Sequence, residues 1–142
     1  MITVQQVFDM AIHLMDEQSE QTGETDTVDT KEYRYRTISI LNTIIPALYV
    51  YSDIYAADGR GRPFSGLLMQ DSYKNPDFDQ IIPLDDTMST SLLPLYLAAQ
   101  LLSGENEDLA SWFMARFNVI FTDIKGKIPA EFEPISSPYG IL

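Results

Sequence analysis

The only histidine, His13, lies between Ile12 and Leu14 in an apolar helical pattern, and no second imidazole is present to build a metal cage. It reads as a structural residue. No cysteine is present to act as a nucleophile, and Ser89, Ser91, Ser136 and Ser137 stand in no Gly-x-Ser-x-Gly elbow that would lift a hydroxyl toward a base. Gly59 and Gly61 belong to DGRGRP, which lacks both the Gly-Lys-Ser/Thr ending of a phosphate loop and the dinucleotide fingerprint. Carboxylates cluster at Glu24, Asp26 and Asp29, and again at Asp77, Asp79, Asp85 and Asp86. Such runs could take a hard divalent cation. Neither has the glycine and distal glutamate of a calcium loop, so both read as solvated acidic loops. No signature brings two carboxylates together for acid-base work. No catalytic, cofactor-binding or metal-ligating residue is therefore expected, no cofactor, and no enzyme.

The basic residues are unevenly placed. Lys31, Arg34 and Arg36 stand at the head of one helical segment, and Arg60 and Arg62 flank a glycine; these are five of the nine in the chain. Local balancing of the acidic loop explains them. A contact with an acidic neighbouring subunit, anchored by Arg60 and Arg62, is the functional alternative.

The elements that would position these groups follow from composition and periodicity. A chain of 142 residues with 45% hydrophobic side chains fits one domain with one core. No apolar run approaches the roughly 18 residues needed to cross a bilayer, and the first ten residues lack the basic region of a secretory signal, so the chain is expected to stay where it is made. The formal net charge of −12 is the wrong sign for phosphate and argues against sequence-directed nucleic-acid binding and against anionic membranes. Absence of cysteine fits a reducing compartment.

Thr3 with Gln6 forms a capping-box pattern, and Val4, Val7, Phe8, Ala11, Ile12 and Met15 follow at helical spacing. A polar stretch, in which Gly23 could end the helix, reads as a mobile loop. A second helix starts near Asp29 or Thr30, with Glu32 placed to complete its cap, and buries Ile38, Leu41, Ile45 and Leu48; Pro46 should kink it or end it early. After the DDTMSTS stretch, which offers caps, a third helix carries Leu93, Tyr96, Leu97, Ala98, Leu101 and Leu102 up to Gly104. A fourth opens with Glu107 and Asp108 and buries Leu109, Trp112, Phe113, Phe117, Ile120 and Ile124.

The expected fold is mainly α: a four-helix scaffold with a long loop or short β-hairpin insert between helices two and three, and an extended C-terminal tail. Residues 1–127 form the helical domain with an insert at 52–86, and 128–142 form the arm. Two short strands, Phe64–Met69 and Gln80–Leu84, could pair as the hairpin. The tail holds Pro129, Pro134 and Pro138 together with many apolar residues. The candidate interaction residues are Arg60, Arg62, Phe64, Leu67, Leu68, Ile81 and Ile82 in the insert, and Phe132, Ile135 and Tyr139 in the tail.

The stretch LLPLYLAAQLLSGENEDLASWFMARF, a helix with an Ala-Ala pair, a Gly-Glu turn and an aromatic-rich helix, resembles head-to-tail connector (adaptor, head-completion) proteins of long-tailed double-stranded DNA bacteriophages and prophages. The acidic-then-Tyr opening of the second helix, leading to Ile40, Leu41 and Asn42, adds to it, and the pattern covers most of residues 3–124. The resemblance implies a structural virion protein. It would form an oligomeric ring by self-association on assembly, bridge the portal to tail-side connector proteins, and reside in the virion after assembly in the bacterial host cytoplasm. It supplies no catalytic residues. Other phage morphogenetic roles, tail completion or assembly chaperone, share the acidic helical character. An acidic host-directed interaction module is the rival from another class.

Overall fold

The computed structural model describes residues 1–52, 67–70 and 76–126. Helix α1, Val4–Met15, begins where the cap pattern places it: the Gln6 amide donates to Thr3 Oγ1 at 3.2 Å and the Thr3 amide donates to Gln6 Oε1 at 2.9 Å. The remaining first-turn amides find carbonyls from a distant segment, Val4 donating to Gln80 at 3.1 Å and Gln5 to Phe78 at 2.9 Å. All six residues of its apolar pattern are buried. The helix ends before Gly23. Asp16 adopts the left-handed conformation at φ 59°, and the amides of Asp16 and Glu17 donate back to His13 and Ile12.

The polar stretch that follows is tied at several points. Thr25 Oγ1 donates to Asp9 Oδ1 at 2.6 Å, and Thr30 Oγ1 donates to the Thr25 carbonyl at 2.6 Å while accepting from the Thr27 amide at 2.9 Å. Thr30 is thus buried and engaged with the loop, and it makes no side-chain cap to helix α2, Lys31–Tyr49. Helix α2 does not end early at Pro46. It runs three residues further because Pro46 stands on the exposed side, where the donor missing for the Asn42 carbonyl costs no core packing. Ile38, Leu41, Ile45 and Leu48 line its buried face.

The DDTMSTS stretch is itself helical, as α3, Asp86–Ser91. Helix α4, Leu93–Leu102, follows almost without interruption, with Leu92 and Tyr96 donating one turn back to Met88 and Leu92. Pro94 in the first turn of α4, lacking an amide hydrogen, separates the two. Helix α5, Glu107–Gly126, starts after a tight turn in which Glu105 and Asn106 both donate to Leu102, and Asn106 Oδ1 accepts from the Leu109 amide at 3.1 Å as its cap.

Helix α4 is the centre of the packing. Seven of its ten residues are buried, and it touches α1, α2, α3 and α5. A helix apolar nearly all round belongs inside a bundle. Its neighbours are held by ring contacts as well as aliphatic ones: Tyr96 meets Phe117 at 5.5 Å, and Tyr51 after α2 meets Phe121 edge-on at 5.5 Å.

Trp112 departs from expectation. It is 55% exposed, because Ala110, Phe113 and Phe117 define the face that α5 turns to α4, and Trp112 sits about 100° away from Phe113 around the helix. Leu109, Ile120 and Ile124 are half-buried.

The described residues contain no strand. The Gln80–Leu84 segment, expected to pair with 64–69, lies along the N-terminus: Thr3 and Ile81 form an isolated antiparallel bridge, and the Ile82 amide donates to Ile2 at 2.9 Å. The other half of the expected hairpin, Phe64–Gly66, and the arm at 128–142 lie outside the described residues.

Replacing Leu97, fully buried in α4, by alanine should lower stability by about 2 to 5 kcal/mol, through lost transfer energy plus the cavity left between α4 and its partners. Urea denaturation followed by helical circular dichroism reads this directly, with an unchanged dependence on denaturant concentration.

Candidate interaction surface

Three surface features converge on residues that could meet another molecule. In the first, the short extended segment 67–70 is held by side-chain amides. Asn42 Nδ2 donates to the Leu68 carbonyl at 2.9 Å, and the Leu68 amide donates to Asn42 Oδ1 at 2.9 Å. One residue on, Gln80 repeats the arrangement: its Nε2 donates to the Met69 carbonyl at 2.8 Å and its Oε1 accepts from the Met69 amide at 3.0 Å. Each amide takes the place of one residue of a neighbouring strand. Gln80 Nε2 also donates to the Asp77 carbonyl at 2.7 Å, which fixes its own orientation.

This pairing sorts the candidate residues of the insert. Leu68 points inward and is buried, as is Ile82, so these two belong to the core and not to an exposed surface. The physical reason is the two-residue alternation of an extended chain. Leu67 at 52% exposure, Met69 at 69% and Ile81 at 44% are the ones left outward. Arg60, Arg62, Phe64, Phe132, Ile135 and Tyr139 lie outside the described residues.

The second feature is a polar seam between α1, the loop and α2. Arg34 Nη1 donates to Asp26 Oδ1 at 2.8 Å and to Gln5 Oε1 at 3.0 Å, while its guanidinium lies 3.9 Å from the centre of the Phe78 ring. Phe78 in turn meets Phe8 at 5.3 Å, edge to face. The head of α2 thus neutralises part of the acidic loop and pins Phe78 over α1. Beside the seam is a cleft of ≈ 510 Å³ lined by Gln5, Asp9, His13, Gly23, Glu24, Thr25 and Asp26. His13 is exposed at its edge, so the lone histidine faces solvent and is not part of the apolar face of its helix. Among the described residues, no three histidine or acidic side chains are grouped as a metal ion would need.

Arg36 and Tyr33 extend α2 to the turn between α4 and α5. Arg36 Nη2 donates to the Leu101 carbonyl at 3.2 Å, near the negative end of α4, and the Tyr33 hydroxyl donates to Glu105 Oε1 at 3.0 Å. Burial of the ring and the bond to Glu105 push the Tyr33 phenol up to about 12. Burial also raises the Glu17 carboxyl, with repulsion from Glu105, Asp16 and Asp29 adding to it.

The third feature is the outward side of α5. Trp112, 55% exposed, and Val119, 63% exposed, stand seven residues apart and hence on one face. Trp112 borders a shallow, open depression of ≈ 460 Å³ lined by Asn106, Asp108, Leu109 and Trp112. Periodicity hid this surface, because α5 carries apolar residues around more than half its circumference. Among the described residues, no helix is long and apolar enough to cross a membrane.

Comparison with protein-family models, with curated proteins and with solved structures finds no match.

Two measurements check the seams. Asn42→Ala should speed hydrogen exchange of the Leu68 amide by about tenfold or more while leaving Met69 protected by Gln80, and Gln80→Ala should do the reverse. For Tyr33, the folded value lies above the ordinary 10, so the associated stability is fully present below pH 10 and is lost as pH rises through about 12. In a phenolate absorbance titration, Tyr33→Phe should remove a group that ionises at about 12. Ionisation near 10 in the folded protein would mean that Glu105 does not hold the hydroxyl.

Proposed function

We propose that the chain is a structural virion subunit, a head-completion adaptor that joins the portal to the tail as part of an oligomeric ring and works by being held against other proteins. One observation carries the reading. Among the described residues, five of the exposed large apolar side chains fall into two groups, Trp112 and Val119 on α5, and Leu67, Met69 and Ile81 on the segments beside the start of α1, with Met1, Leu14, Val28 and Val50 exposed besides. Helix α4 packs against both α1 and α5. A subunit held between other proteins meets them through different surfaces, and these two groups supply two. The resemblance in the α4–α5 stretch supports the same reading.

The net charge of −12 favours a second one, an acidic module that binds a cationic host protein. The two separate by experiment. Mixed with its cognate portal and viewed by electron microscopy, the protein should decorate the portal as a ring. Absence of binding both to the portal and to itself would overturn the adaptor reading, and affinity for a cationic host protein without self-assembly would establish the acidic module.

A further inference from the structure

We propose that the depression at the start of α5 is a receptor site for a basic side chain, arginine or lysine, presented by a different protein beside an apolar residue. Asp108 and Trp112 are four residues apart and share a helix face, so the carboxylate and the indole line, with Leu109, one shallow surface depression of ≈ 460 Å³. A carboxylate and an aromatic face on either side of a space are the two groups that attract a cation together, one by charge and the other by its ring quadrupole.

The local partners leave the site open. The side chains of Asp108 and Glu107 make no hydrogen bond or ion pair with another described residue. The cap of the helix is already filled by Asn106, whose Oδ1 takes the Leu109 amide. Phe113 meets Trp112 edge-on at 5.3 Å, and Arg116 lies 5.9 Å from the indole centre, at the outer limit of a cation–π contact. Arg116 does not line the depression.

Charge complementarity identifies the occupant. The depression and its neighbour at Ala99, Gln100, Ser103, Glu107, Ala110, Ser111 and Met114 are lined by carboxylates and neutral groups without one basic side chain. In a chain of net charge −12 a second copy brings mostly repulsion to that rim, whereas a basic partner segment brings attraction and an apolar side chain for Leu109. The inference shares α5 with the adaptor reading but not its premise, since it needs no ring and no portal.

Trp112 is the only tryptophan, so its fluorescence reports this site alone. The probe is a synthetic amphipathic helix of leucine and arginine, compared with one of leucine and glutamate. The expected result is a saturable blue shift with the arginine peptide and none with the glutamate peptide. Asp108→Asn should weaken binding about tenfold, while Glu20→Gln, which removes the same charge from the exposed loop, should change it less than twofold. Trp112→Ala, followed by calorimetry, should weaken it by a similar factor to Asp108→Asn. Equal effects of Asp108→Asn and Glu20→Gln would reduce the attraction to net charge and overturn the proposal. So would binding that survives Trp112→Ala, or a concentration-dependent sedimentation of the protein alone that Trp112→Ala abolishes, which would assign the face to a second copy. Helical circular dichroism of each variant shows that it is folded, and Trp112→Phe, retaining a ring, should keep most of the affinity.

Discussion

A ten-residue helix that is apolar on nearly every side cannot face water, and the fold is arranged around that constraint. Helix α4 must be covered from several directions by chain that comes both before and after it in sequence. Helices α1 and α2 approach from one end of the sequence and α5 from the other, with α3 leading into it. The adjacent Ala98 and Ala99, both buried, leave room for neighbours to come close. Ordering the rest of the described chain follows from covering this one element.

Polar groups then fix what apolar packing leaves free. Covering α4 does not by itself determine where the acidic loop lies or how the segments after α2 return to the N-terminus. Arg34 settles the first by reaching Asp26, Gln5 and the Phe78 ring together. Thr43 shares a hydroxyl hydrogen bond of 3.0 Å with Tyr96, and Arg36 binds the Leu101 carbonyl, so α2 is registered along α4 at two points. With so few cations in a strongly acidic chain, each one that is seated against a ring or a helix end has a large share in offsetting the repulsion among carboxylates.

The helical faces were legible because a single period describes them. The six apolar positions of α1 and the four of α2 are all buried. Trp112 was misread because α5 has more apolar residues than one partner can cover, and periodicity cannot tell which side the partner takes. The contact of Gln80–Leu84 with the N-terminus was hidden for a different reason. Its register is set by the unsatisfied first-turn amides of α1, almost 80 positions away in sequence, and no local pattern announces that demand. Which residues of the insert face outward was not legible: Leu67 and Ile81 face outward while their neighbours Leu68 and Ile82 face in, a parity that depends on contacts far along the chain.

The amides of Asn42 and Gln80 hold the segment at 67–70 through its main chain, which is the same whatever side chains it bears. Anchoring and display are therefore separable at this place. The identities of residues 67 and 69 can drift across related chains without loosening their attachment, while Asn42 and Gln80 have no substitute of equal length that both donates and accepts. A surface built this way can change its side chains without changing the shape of the scaffold beneath it.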